Sequence, residues 1–340
     1  MKKGFRNIAS LSLGLIVALL ILELFLRFYN PINQRLEKGA IRLPANMEYD
    51  ISNDKITSLP KKIKHTKNSL GFRGPEPMDS VGKTSIICVG GSTTECFYLP
   101  DGTDWPAKLQ DNLGNNFWVN NAGLDGHSTF GHYILLKNHL LSLKPKYIIF
   151  LIGCNDVAAS QINNYEKDFI SGKKRLLEQS AIFNTLSAMK RSKKARNFGM
   201  HHQSIDFVNS SRTDTTGWAL WKNNSSTLPY ANRVVNLAKL CIENNIKPIF
   251  CSQPSILSAK TIAGTFVGDR NMNGESAMHY MQKLNAFNKS TQEACTVYGL
   301  KFIDLANMLP AVPENYYDNF HFTQAGAEAV ATIITNHIGL

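Results

Sequence analysis

Five short apolar runs, separated by longer stretches of helical pattern, constrain this chain more than any other feature of its 340 residues. SIICV at 85–89 is rich in β-branched residues and ends at Gly90-Gly91, which marks a buried strand. FWVNNAG at 117–123, KYIIFLIG at 146–153, KPIFCS at 247–252 and LKFIDLA at 300–306 read the same way. The spacing predicts helices over 104–113, 130–143, 230–244, 275–298 and 323–338. Asp104 and Thr323 are placed as N-caps, and Pro106 falls in the first turn of the first helix. Strands alternating with helices predict a parallel sheet covered on both faces, an α/β sandwich. Apolar residues at 43% supply its core and exclude a disordered chain, and six cysteines are too few for a disulfide scaffold.

The N-terminus follows a different pattern. IASLSLGLIVALLILELFL at 8–26 is 19 residues long with Glu23 as its only charge. As a helix it covers about 28 Å, close to the thickness of a bilayer's hydrocarbon. Lys2, Lys3 and Arg6 precede it, Arg27 closes it, and the following LRFYNP offers no small-x-small cleavage site. Residues 1–27 are therefore expected to be an uncleaved transmembrane anchor, with a short cytoplasmic N-terminus and the rest of the chain extracytoplasmic. Residues 28–80, with five prolines, read as a stem or wrapping segment. The α/β domain is expected over 81–340, with a polar, basic insertion at about 157–228 over the top of the sheet.

The net charge of +11 is not spread over that domain. Residues 1–75 carry +8 and 173–196 carry +7, which leaves −4 for the remainder. A basic face that could track a phosphate backbone is absent, so no nucleic-acid partner is expected. Basic residues beside a membrane segment suit anionic lipid head groups, while 173–196 reads as a solvated charge run. Cys88, Cys154 and Cys251 lie in or just after apolar runs and read as buried thiols, whereas Cys96, Cys241 and Cys295 could pair. No CxxC or histidine-rich spacing suggests a metal, and no GxGxxG follows the first strand, so no cofactor is expected. Gly82-Lys83-Thr84 precedes a strand and lacks the upstream glycine of a phosphate-binding loop. The GxSxG elbow fails because Thr94 stands at its last glycine.

What remains is chemistry at strand ends, where open α/β sheets bind ligands. Ser92 ends the first strand, after two glycines that let the chain turn sharply. Asn121-Ala122-Gly123 follows the second strand and offers the Gly123 N–H; Gly153-Cys154-Asn155-Asp156 follows the third and offers the Asn155 carboxamide. After the last strand, Asp318 and His321 are three apart, so the carboxylate can orient one imidazole nitrogen and leave the other facing outward. The N-terminus of the helix from Thr323 disfavours the imidazolium and Asp318 offsets this, keeping His321 poised as a base.

Taken in order, Gly90-Gly91-Ser92-Thr93, Asn121-Ala122-Gly123, Gly153-Cys154-Asn155-Asp156 and Asp318-x-x-His321 resemble the four blocks of the SGNH/GDSL hydrolase family. The likeness spans roughly 85–340. It implies a flavodoxin-like three-layer α/β/α fold with a five-stranded parallel sheet, and a triad of Ser92, Asp318 and His321. It also implies an oxyanion hole from the Ser92 N–H, the Gly123 N–H and the Asn155 side chain. Gly91 stands where the family name suggests Asp, and Phe322 follows the histidine where Pro is frequent. Asn68-Ser69-Leu70-Gly71-Phe72-Arg73-Gly74-Pro75-Glu76 resembles a stretch ahead of the first block in membrane-anchored members.

The expected activity is that of a serine esterase, with a cell-envelope glycan or lipid ester as substrate. The alternatives are an O-acetyltransferase acting on a surface polysaccharide, using the same triad, and a non-catalytic glycan-binding module that keeps the fold.

Overall fold

The apolar runs pair into one five-stranded parallel sheet. The structure is a computed structural model, and it describes residues 2–29, 36–37, 40–159, 180–186, 189, 202, 204, 227–257, 271–272 and 275–340. An antiparallel hairpin, β1 (Met47–Ser52) and β2 (Lys62–Lys67), lies outside the main sheet. The main sheet comprises β3 (Thr84–Gly90), β4 (Phe117–Asn121), β5 (Tyr147–Leu151), β6 (Lys247–Cys251) and β7 (Lys301–Ile303). Its order is β7-β6-β5-β3-β4 with every pairing parallel. The chain therefore reverses direction across the sheet after β4, leaving a crevice at the carboxyl ends of β3 and β5.

Helix α1 (Lys2–Phe28) precedes the hairpin, and α2 (Ser92–Glu95) and α3 (Trp105–Leu113) follow β3. The Asp104 side chain accepts from the Ala107 amide at 3.4 Å, as its N-cap position requires. After β4 come α4 (Thr129–Leu135), a π-turn at Leu136–Leu140 and a last turn at Leu141–Leu143, so the expected helix over 130–143 is interrupted in register. Helix α5 (Cys154–Ala159) follows β5. The long helices α6 (Thr227–Glu243) and α7 (Ala277–Val297) flank β6, and α8 (Gln324–Ile338) closes the chain.

Two layers of helix cover the sheet. Ile86, Cys88, Ile149, Leu151, Ile249 and Cys251, alternate residues of three strands, share one core with Leu109 of α3 and Val330 and Ile334 of α8. On the other side Tyr230 of α6 meets Phe287 of α7 with ring centroids 4.7 Å apart. The last strand is shorter than the run 300–306 suggested. The chain leaves the sheet at Asp304, whose carboxylate accepts from Ser252 Oγ at 2.9 Å and whose carbonyl starts a short helix, Leu305–Met308. All six cysteines are free, and five are buried.

The chain divides into two compact units, Met1–Arg42 with Glu166–Met200, and Leu43–Tyr165 with His201–Leu340. Residues 43–80 thus cluster with the sheet domain, through the hairpin and through Phe72 and Arg73, both fully buried. Most of the expected insertion at 157–228 lies outside the described residues. Helix α1 is long and apolar enough to cross a membrane over Ser10–Phe28.

Candidate active site

Ser92 is the first residue of α2, directly after β3, and is 8% exposed. His321 Nε2 lies 2.8 Å from Ser92 Oγ, and His321 Nδ1 lies 2.6 Å from Asp318 Oδ2. The other oxygen of Asp318 accepts from the Phe320 and His321 amides at 2.9 and 2.8 Å, so the carboxylate is fixed at both ends. The tight turn 318–321 does this locally, and Thr323 then caps α8 through the Gly326 amide at 3.1 Å. Burial alone would raise the Asp318 carboxyl, but the charge and hydrogen bond of His321 bring it below its ordinary value. Burial alone would lower His321; the charge and hydrogen bond of Asp318 more than offset this and raise it above the ordinary imidazole value.

Asn155 lies in the first turn of α5, and its carboxamide nitrogen donates to the His127 carbonyl at 2.9 Å, leaving a second N–H. It lies against Gly91, where an added Cβ would stand 2.3 Å from Nδ2. The glycine in place of Asp thus lets the carboxamide lie over the turn that carries Ser92. A buried pair holds this loop from behind. Asp156 accepts from Thr129 N and Oγ1, and Arg233 of α6 reaches both Thr129 Oγ1 (2.7 Å) and Asp156 Oδ1 (3.4 Å).

Gly123 does not present its amide to the site. Its N–H donates to Asn121 Oδ1 at 2.9 Å, and a Cβ there would stand 2.3 Å from the Glu95 nitrogen, because the loop lies on the backbone of α2. Its glycine is needed for close packing. Further along the same loop, the exposed Gly126 has an amide with no hydrogen-bond partner among the described residues, and it adjoins His127, whose carbonyl holds Asn155.

Two groups escape sequence reasoning. Gln253, after β6, accepts from Thr93 Oγ1 at 3.0 Å and is itself held by Asn288 of α7, so it braces the residue after Ser92. His202, from within the insertion, lies with its ring centroid 4.1 Å from that of His321. Its Nδ1 is 2.6 Å from the Tyr317 hydroxyl, and Tyr317 stacks on the opposite partner, His321, at 5.5 Å and 11°. No local pattern marks either residue, since each works through a contact more than 100 positions away. His202, Asp318 and His321 each place one atom of a metal-ligating type within 4.8 Å of the others. Asp318 and His321 already spend those atoms on each other and on Ser92.

The sequence model of the family described as GDSL-like Lipase/Acylhydrolase matches residues 86–334. Among curated proteins none matches significantly. Among solved structures, a GDSL-like lipase from Bacteroides thetaiotaomicron is 14% identical with a TM-score of 0.42, over 78% of this chain and 90% of that one. An acetylxylan esterase from Geobacillus stearothermophilus is 13% identical with a TM-score of 0.44, over 77% and 97%. An alpha/beta hydrolase enzyme from the metagenome of Lake Arreo, Spain, is 13% identical with a TM-score of 0.45, over 75% and 95%. The family match runs from β3 into α8 and takes in every strand of the main sheet, so this chain belongs to the GDSL-like lipase/acylhydrolase family, enzymes that act on ester bonds.

Proposed function

We propose that Ser92, His321 and Asp318 form the catalytic triad of a serine esterase. The observation that carries this reading is the unbroken hydrogen-bond chain from Ser92 Oγ through the imidazole to Asp318, at 2.8 and 2.6 Å. Ser92 Oγ attacks the ester carbonyl while His321 Nε2 takes its proton, and Asp318 stabilises the imidazolium that forms. His321 then returns the proton to the leaving alcohol, and a water activated by the same nitrogen resolves the acyl-enzyme. The developing oxyanion is met by the Ser92 N–H and the free N–H of Asn155. For the loop donor we assign Gly126 in place of Gly123, whose amide is committed to Asn121.

The substrate we assign is an ester of a cell-envelope glycan or lipid, with the catalytic domain on the extracytoplasmic side. The support for this is the apolar helix of spanning length at the N-terminus. Short p-nitrophenyl esters test the chemistry: the protein is expected to hydrolyse them and Ser92→Ala to be inert. Equal turnover by the mutant removes Ser92 from the mechanism.

A further inference from the structure

Glu23 is the only charged residue inside the apolar run of α1, and its carboxylate has four donors. Arg27 Nε, one turn on, lies at 2.9 Å; Ser180 Oγ, the Ala181 amide and the Ile182 amide lie at 2.8, 2.8 and 3.1 Å. The last three open a helical stretch at 181–186, within the same compact unit as α1. A carboxylate in hydrocarbon is costly without partners, and so are the free amides of a helix start; here each satisfies the other.

We propose that the 180–189 stretch is a membrane-contacting element, seated at the boundary between head groups and acyl chains, with Glu23 as its tether and anionic lipid as its partner. The inference rests on reading α1 as a membrane span. Glu23 is five residues short of Phe28, the end of that span, which places the tether about 8 Å below the helix end. That is the depth at which interfacial amphipathic helices lie, about 5–10 Å into the boundary. The outward side chains suit this depth: Phe183 and Leu186, three apart on one face of the helical stretch 181–186, are 38% and 60% exposed, and Met189 is 56% exposed. Ile182 and the α1 residues Ile16, Leu19 and Leu20 form the apolar wall of an open groove of about 490 Å³, and Glu23, Arg27 and Ser180 form its polar end. In the sequence the next seven residues, 190–196, include five cations and no acid, which favours a negatively charged lipid surface.

The test uses the full-length protein reconstituted into phosphatidylcholine vesicles, with and without phosphatidylglycerol, containing a phospholipid with a photoreactive acyl chain. Labelled peptides are mapped by mass spectrometry. Label is expected on α1 and on 180–189, rising about fivefold on the latter with the anionic lipid. Glu23→Ala is expected to lower the label on 180–189 about tenfold while α1 stays labelled, and Glu23→Gln to lower it less, since one acceptor oxygen remains. Unchanged hydrolysis of a short soluble ester by both variants shows that they are folded. Label on α1 with none on 180–189 overturns the proposal and leaves the span intact. Absence of label from α1 overturns the span reading and this inference with it. Neither result touches the esterase assignment, which the Ser92→Ala comparison tests separately.

Discussion

Asn155 can lie over the nucleophile turn only because residue 91 has no side chain. Gly91→Ala is therefore expected to push the carboxamide aside without unfolding the protein, since only the end of a side chain must move. Its kcat should fall about as far as that of Asn155→Ala, by about 10²–10³ for one lost oxyanion donor. A change in KM with kcat intact would make Asn155 a binding residue instead. The imidazole sets the pH dependence. Because Asp318 raises His321 above its ordinary value of 6.5, kcat/KM should fall on acidification through a midpoint above that value. Asp318→Asn should move the midpoint down, as a pH–rate profile will show. The pair's contribution to stability has a different window. The Asp318 part is present above 3.8 and is lost as pH falls through its depressed folded value, while the His321 part is present below 6.5 and is lost as pH rises through its raised one. Ser92 and Asn155 were legible in the sequence because each follows a strand end with its own turn chemistry, and Asp318 and His321 because they stand three apart in one turn ahead of the last helix. His202 and Gln253 were not: His202 lies within the insertion, and Gln253, although it follows the end of β6, belongs to no motif that marks it.

At the scale of elements, the segment ahead of the first main strand carries the active site from below. Lys67, the last residue of β2, pairs with Glu95 of α2 at 3.0 Å, with side chains 1% and 2% exposed. The other oxygen of Glu95 accepts from the Asp125 amide at 2.5 Å, so one carboxylate ties the nucleophile helix to the loop carrying Gly126. Arg73, also buried, donates to the carbonyls of Glu95, Cys96, Leu99 and Pro100 and fixes the exit from α2. Removing one partner of such a pair leaves a buried charge alone, so Lys67→Met should destabilise the protein by about 3–5 kcal/mol. Lys67→Met combined with Glu95→Gln should cost much less, since no charge is stranded; denaturant midpoints of the two variants make the comparison. The hairpin itself escaped sequence reasoning. KIKHTK at 62–67 carries three lysines, and only the fold shows that Ile63, His65 and Lys67 point inward. By contrast the caps at Asp104 and Thr323 are local chemistry and stand where the residue types placed them.

Across the whole molecule, the division of the chain falls at Leu43. A protein beginning at residue 43 should fold and hydrolyse short esters, whereas one beginning at 81 lacks Phe72, Arg73 and Lys67 and should be insoluble or inactive. Circular dichroism and ester turnover of the two truncations decide this. The order of the five main strands and of the helices between them, and the covered parallel sheet, were determined by sequence alone, because periodicity and turn residues act over a few positions. Which amide of the loop after β4 is free was decided only by the tertiary structure, because Asn121 and Glu95 compete for its donors. The same holds for the insertion histidine on His321 and for the partners of Glu23, contacts between residues more than 100 positions apart that no local pattern encodes.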